Sequence, residues 1–557
     1  MEGPAGATQP PAAPSAPLPR GAAPVGTVHS LRSLGQGSLL SLIGQIFLVG
    51  ALFGVRVLMV RDLSTASWSA LVIALAFVGL VGAFGALGLQ QAVARQLAHT
   101  VETRRRRDLV VNSLLLSLPA AGIASAAMFL AARPLAPYLG GAAIVPALEF
   151  FAGYLAVTTV SGLLAAFFQG NEDVIPNTLF NQVLNPALAL IFLVIFLQEG
   201  LGLTGALLAY LLSALAALVG LLVYTLSPRG RPWNHPLDPR RVQGQDYPTD
   251  TPAALLKFSL PLAVVAIATA TVGTADTLIL GALSPDPLNA VAAYGAVLPM
   301  ARLVGLGAAS LGYIMLPVAS HLHRVGDMEE LRRSYTTITK WILLVSLPFF
   351  LLFFFLPTPS LALVIGAKVS NPTYAQAPLL LQVTVLGMFL ATLTGPASAV
   401  LIGLGKLRLL LYDTVASAVT DVLLSAALVP FVGALGAAIA FASATALLPV
   451  LCVTQTQLLE RIHPFHSVLV RPLLSVTIPV GALLLWISYM GWPLPGLWLP
   501  GLFGVLFLGY LVAIPATRSL ETEDGHLLDM FESYLGRRLD LIRRLGSRFV
   551  GRTREGP

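Results

Sequence analysis

Fourteen apolar runs, each close to the ~20 residues that cross a bilayer as helix, leave this chain few ways to fold. Six fall near residues 39–60, 69–90, 109–132, 142–168, 175–197 and 203–226. Beyond a polar stretch, eight more fall near 258–283, 289–319, 338–356, 377–402, 408–430, 433–458, 468–490 and 495–515. Only 11% of the 557 residues are charged, less than half the roughly 25% usual in soluble domains. Mean hydropathy is +0.81. A soluble enzyme is excluded, and an all-α polytopic membrane protein is predicted. Cys452, the single cysteine, lies inside an apolar run and allows no intrachain disulfide.

Residues 1–36, rich in Pro, Ala and Gly, read as a disordered cytoplasmic tail without the features of a signal peptide. Lys and Arg then orient the spans. With the N-terminus inside, 28 of the 33 basic residues fall on cytoplasmic segments; Arg61, Arg133 and Lys368 fall outside, and Arg56 and Arg302 lie within spans. This asymmetry follows the positive-inside rule. Both termini are therefore expected in the cytoplasm, with the chain in the cell's inner (cytoplasmic) membrane. The net charge of +7 reports topology, not a nucleic-acid partner. The tail 516–557 sets Leu528, Phe531, Leu535, Leu539, Ile542, Leu545 and Phe549 at three- and four-residue steps beside Arg537, Arg538, Arg544 and Arg548. It reads as a basic amphipathic helix for the anionic inner leaflet or for the protein's own loops.

The spans repeat. Arg56 and Asp276 each precede a Leu-Ser pair by seven residues, at an offset of 220. Gly162 and Gly170 match Gly395 and Gly403 at 233, and Phe180-Asn181-Gln182-Val183 matches Tyr412-Asp413-Thr414-Val415 at 232. Gly202-Leu-Thr-Gly205-Ala matches Gly433-Ala-Leu-Gly436-Ala at 231. Two pseudo-symmetric six-helix lobes are expected, 37–226 and 258–459, joined by a cytoplasmic loop at 227–257 and followed by two appended spans at 460–515. Six is even, so both lobes share one orientation, related by an axis along the membrane normal.

Catalytic constellations are poor. The close pair His321-x-His323 sits on a basic loop, and Gly403-Leu-Gly-Lys406 lacks the spacing of a nucleotide-binding loop. No sizeable external loop offers a glycosyl polymerase or ligase its site. The chain is not expected to be an enzyme or to hold a cofactor or metal. Charges inside spans are what remain, because each costs roughly 2.5–3.5 kcal/mol unless it faces a cavity or a partner. Arg302 is the deepest cation, about twelve residues into its span, with Asp421 similarly deep in the eleventh. Arg56 and Asp276 lie one to two turns below the outer ends of spans one and seven, and Glu149 lies near the outer end of span four. Each has a plainer reading. Arg56 can snorkel outward, Asp276 and Arg302 can pair structurally, and Asp421 can bond Thr420. Asn181, Gln182 and Asn185, ahead of a kinking Pro186, read as packing amides or as substrate contacts.

The stretch Arg61-Asp-Leu-Ser, the small-residue span after it and Gly85-Ala-Leu-Gly-Leu-Gln-Gln-Ala-Val-Ala-Arg95 resemble the start of polysaccharide-biosynthesis flippases of the multidrug/oligosaccharidyl-lipid/polysaccharide (MOP) exporter superfamily. Lys257-Phe-Ser-Leu-Pro261, the Asp276 span and Leu316-Pro-Val-Ala-Ser-His-Leu-His-Arg-Val-Gly-Asp-Met-Glu-Glu-Leu-Arg-Arg333 resemble its second half. The likeness covers residues ~35 to 515. It implies a MATE/MOP-like fold and an alternating-access carrier of a polyprenyl-diphosphate-linked oligosaccharide, with Na+ or H+ as coupling cation and a polysaccharide polymerase as partner. Arg302, Arg56, Asp276 and Asp421 are the expected cavity residues, since a diphosphate calls for fixed cations and arginine offers a bidentate fork. The alternatives are a cation-coupled multidrug exporter or a lipid II flippase of the same superfamily, or, from another class, a membrane glycosyl polymerase or ligase. Gly54-Val-Arg56 stands without the Ser-Arg-x-x-Gly-Phe-x-Arg-like signature of the lipid II branch.

Overall fold

The computed structural model describes residues 25–171, 173–227, 230–233, 251–465, 467–490 and 498–516. The expected C-terminal amphipathic helix and most of the loop 227–257 lie outside these residues. All regular structure among the described residues is helical. The first half comprises α1 (Val25–Asp62), α2 (Thr65–Gly85), α3 (Leu89–His99), α4 (Thr103–Leu135), α5 (Val145–Gly170), a π-helical segment (Asn177–Leu184), α6 (Asn185–Gln198) and α7 (Gly202–Leu226). The second comprises α8 (Pro252–Thr271), α9 (Ala275–Leu283), α10 (Pro287–Val304), α11 (Leu306–Val325), α12 (Met328–Phe355), α13 (Pro357–Ile365), α14 (Ala377–Leu393), α15 (Ala397–Gly403), α16 (Leu407–Val432) and α17 (Ala434–Glu460). Then come α18 (Ser467–Tyr489) and α19 (Leu499–Ala516).

Twelve helical segments among the described residues are long and apolar enough to cross a membrane, one for each of the first twelve expected spans. The two C-terminal helices carry shorter described apolar stretches, Thr477–Tyr489 and Leu499–Tyr510. They pack on the flank of α12, where Leu484, Leu499, Leu506 and Tyr510 join Leu344, Leu347 and Leu351 in one cluster.

Three expectations need correction. The N-terminal tail is not coil as far as residue 36, because residues 25–36 already belong to α1, a stretch without the prolines that crowd the sequence up to Pro24. Span seven is not one helix: it breaks between α8 and α9 at Gly273, whose φ is +81°. Span eight breaks likewise at Gly305, between α10 and α11. Apolar run length carries no trace of such breaks, because the break residues are as apolar as the helices around them.

The two ends of the bundle differ. At the end carrying Arg61 and Lys368, one hydrophobic core runs through both lobes: Val55, Met59, Trp68, Leu71 and Ile73 pack with Leu280, Val291, Tyr294, Val297 and Leu361. The seam is tight. Trp68 Nε1 donates to the Ala292 carbonyl at 3.1 Å and Ser69 Oγ to the Leu288 carbonyl at 2.6 Å. Val72 fits so closely over Gly295 that a Cβ there would lie 2.7 Å from its methyl group. At the opposite end, which carries Arg106 and Lys257, the core divides. One cluster joins α3–α5 and α7 with the first half of α8 through Leu255, Phe258 and Leu262; the other lies wholly within the second lobe around Met315, Tyr335 and Leu401. The lobes thus share one core at a gate end, whereas at the basic end only the first half of α8 joins the first lobe and the rest of the second lobe has a core of its own.

Candidate functional site: a charged cluster at a broken helix

The break in span seven frees the peptide groups of Gly273, and side chains from two other helices take them. Arg302, in the last turn of α10, donates from Nη2 to the Gly273 carbonyl at 3.4 Å. Asp421 of α16 accepts the Gly273 N–H through Oδ2, also at 3.4 Å. Within a membrane such groups need internal partners. The position admits little but glycine: its φ is left-handed, and a Cβ would sit 3.1 Å from Arg302 Nη2 and 3.2 Å from the Phe441 ring.

Asp276 lies in the first turn of α9, where the helix dipole favours a carboxylate. It is fully buried. Its Oδ1 accepts the Thr277 N–H at 2.6 Å and the Thr277 hydroxyl at 3.3 Å, and its Oδ2 accepts the hydroxyl of buried Tyr294 on α10. Asp276 and Arg302 are electrostatic neighbours but not a contact ion pair: among the described residues, none of the ion pairs within 4 Å joins them. Tyr294 escaped the sequence reading. The signal was a lone tyrosine in an apolar helix, whose hydroxyl needs a partner when buried.

The four expected cavity residues come together. Arg56, half-buried on α1, lies within electrostatic range of Arg302 and of Tyr154 and Tyr210. Those two rings meet edge-to-face at 5.8 Å. Asp421 is in range of Asp276 and Tyr294. Thr420 does not bond Asp421; its hydroxyl turns back to the Ala416 carbonyl at 2.8 Å, and Asp421 Oδ1 has no hydrogen-bond partner. Arg302 is solvent-exposed. Arg56 and Arg302 thus bring two cations, one from each lobe, within electrostatic range of each other.

Other singled-out residues do different work. Glu149 pairs with Arg133 at 3.0 Å on an exposed surface, where such a bridge contributes little. Of the four consecutive arginines after span two, Arg106 is buried and serves as a knot. It donates to the carbonyls of Leu97 (3.0 Å), Thr100 (2.7 Å) and Pro232 (3.1 Å) and to Asn171 Oδ1, tying the basic-end termini of α3, α5 and α7 to α4. Asn177–Leu184 is π-helical, with Asn181 Nδ2 donating to Asn177 Oδ1 at 3.0 Å. Gln182 packs on Gly44 of α1.

A family model of polysaccharide biosynthesis proteins matches residues 34–323, more than half of the chain. The chain belongs to that family. A second model, MatE, matches residues 261–427, which include Asp276, Arg302 and Asp421. No curated protein sequence matches the chain significantly. Among solved structures, the lipid II flippase MurJ in an inward closed conformation superposes with a TM-score of 0.64 at 12% identity, covering 86% of this chain and 97% of that one. An inward-facing multidrug resistance MATE family transporter of the MOP superfamily gives 0.59 at 17% identity, covering 76% and 97%. A MOP superfamily transporter from Pyrococcus furiosus gives 0.56 at 17%, covering 77% and 97%. The fold is that of these MOP-superfamily transporters, and the chain is a multi-pass membrane protein of the polysaccharide biosynthesis family.

Proposed function

We propose that the protein is an alternating-access flippase that carries a polyprenyl-diphosphate-linked oligosaccharide across the cytoplasmic membrane for polysaccharide biosynthesis. The observation that supports this reading is the nearness of Arg56 and Arg302, one from each lobe and within electrostatic range of each other, with Arg302 exposed. A pyrophosphate between two arginines offsets their desolvation through charge-assisted hydrogen bonds, and rocking of the lobes hands it from one side to the other. With the basic end as the cytoplasmic one, the gate end faces outward and substrate is taken up from the cytoplasmic side. Asp276 and Asp421 supply the coupling centre for Na+ or H+, and a polysaccharide polymerase on the outer side takes the product.

The experiment is leaflet-resolved measurement of lipid-linked glycan in a deletion strain complemented with wild type or Arg302→Ala. Wild type should clear the inner leaflet, and the variant, inserted at normal levels, should let glycan-lipid accumulate there. Unchanged leaflet distribution on deletion would remove the flippase reading. A carboxylate-dominated cavity would instead suit the multidrug exporter of the same superfamily, and drug efflux in the same strain tests for it.

A further inference from the structure

α16 carries a buried polar stripe that the diphosphate site does not use. Asp413, Ser417, Asp421 and Ser425 recur every four residues and so share one face of the helix. They are 4%, 2%, 0% and 0% exposed, while Val419 and Leu423 of the same helix are 49% and 63% exposed on its other side. The stripe is turned against α17. Ser417 Oγ donates to the Ala444 carbonyl at 2.6 Å. Asp413 accepts from Gln455 Nε2 at 2.7 Å and from the Cys452 thiol at 3.7 Å. Asp421 Oδ1 and Ser425 Oγ are buried with no hydrogen-bond partner. Apolar packing gains nothing from these groups, since an unpartnered buried polar atom costs about 1–3 kcal/mol.

Asp413 is the anomalous member. It lies about 9 Å into α16 from the basic end and about 12 Å short of Asp421, at 1.5 Å per residue. Both of its partners are neutral, and among the described residues none of the ion pairs within 4 Å involves it. The titratable groups facing it are Cys452 of α17 and, beyond that thiol, Tyr335 of α12. Lys406 lies just before α16 and exposed Arg408 in its first turn; on α8 exposed Lys257 sits at the basic end, and on α9 Asp276 faces Asp421 instead. A carboxylate held this way, without a cation beside it, is costly as an anion.

The geometry points to Asp413 as a proton-binding site that exchanges protons between the basic-end solution and Asp421 along the Ser417 face. Hydronium gives its proton to a carboxylate oxygen of Asp413 and leaves as water. The neutral acid passes that proton through water and the Ser417 hydroxyl, which accepts one proton as it releases its own, to the Asp421 carboxylate. Asp413 returns to the anion, and no electrons change hands. The destination of the proton rests on the coupling centre proposed above; the protonation of Asp413 does not.

The test uses full-length protein in nanodiscs and in proteoliposomes. Infrared difference spectra across a pH step should contain a carboxylic-acid carbonyl band that is lost in Asp413→Asn and displaced in Asp413→Glu. In proteoliposomes carrying a lipid-linked glycan, Asp413→Asn should lose the stimulation by a pH gradient. Arg302→Ala should stop flipping yet keep the band. A wild-type spectrum without the band, or an Asp413→Asn protein that keeps both the band and the wild-type pH profile, overturns the proposal. If Asp413→Asn fails to insert, Asp413→Glu decides by the shift of its band. A band lost in Asp413→Asn, with no flipping by wild type under any gradient, supports the proton site and removes only the flippase reading.

Discussion

Arg61 and Lys368 lie on opposite lobes, and each caps a helix of the other's. Arg61, at the end of α1, donates to the Val364 carbonyl at 3.0 Å and to the Leu363 carbonyl, the C-terminal turn of α13. Lys368, just beyond α13, donates to the Val60 and Leu63 carbonyls at 2.9 and 2.6 Å, the C-terminal turn of α1. Cations belong at helix C-termini. Here the exchange crosses the lobe boundary, so it holds the gate end shut in addition to finishing two helices.

Lys368→Met should therefore favour the open gate. Two bonds from a charged donor are lost, each contributing about 1.5 kcal/mol at a half-buried position. Arg61→Gln should have a smaller effect, because solvent screens that side chain. The check is maleimide labelling of a cysteine placed at Ile73, a buried seam position. Labelling should be faster in both variants, more so in Lys368→Met, and unchanged rates would contradict the latch.

The same lysine gives the gate a pH dependence. Burial pushes the Lys368 ammonium below the ordinary lysine value of 10.5, although Asp62 opposes the shift. Between the lowered and the ordinary value, the closed form binds fewer protons than a form with Lys368 in water. Raising pH through that window therefore stabilises closure, and lowering it through the same window removes the gain. Ile73→Cys labelling, divided at each pH by the rate of a fully exposed cysteine to remove the thiolate dependence, should slow toward alkaline pH in the wild-type background and lose that slope in Lys368→Met.

Arg302 and Asp276 invite a double mutant. Were they a structural pair, removing both charges would restore what either single change destroys. Asp276 is instead held by Thr277 and Tyr294, and Arg302 by Gly273. Arg302→Ala/Asp276→Ala should remain inactive in flipping assays. Arg302→Lys should keep a fraction of the rate, since the charge survives while the fork is lost.

Gly273→Ala should fold poorly around the break. A non-glycine residue at a left-handed φ costs about 1–2 kcal/mol, and the new methyl presses on Arg302 and Phe441. Reduced thermal stability in detergent together with loss of transport is expected. Full transport at wild-type stability would show that the break does not have to hold its present shape.

Arg106→Ala should be more damaging to stability than changing any of its three arginine neighbours. It strips the partners from three carbonyls and from Asn171, at about 2–4 kcal/mol in total. Arg104, Arg105 and Arg107 are exposed and should tolerate alanine. Thermal unfolding of the four single variants decides.

The span map, the doubling of the six-helix unit and the short roll of buried charges needed only local information. Lipid contact imposes apolarity residue by residue, and a charge in an apolar run stands out wherever the run folds. Arg56, Asp276, Arg302 and Asp421 were legible for that reason. Their convergence was not. It depends on Gly273 ending a helix in mid-membrane, which follows from who can satisfy its N–H and carbonyl, and those partners lie 29 and 148 residues away. Nor could charge counting separate Arg106 from Arg104, Arg105 and Arg107, because one of four identical side chains is buried only when α3, α5 and α7 end around it. Hydropathy told which residues enter the membrane. Packing decided which of them meet, since hydrogen bonds act over about 3 Å and only the folded chain brings distant helices that close.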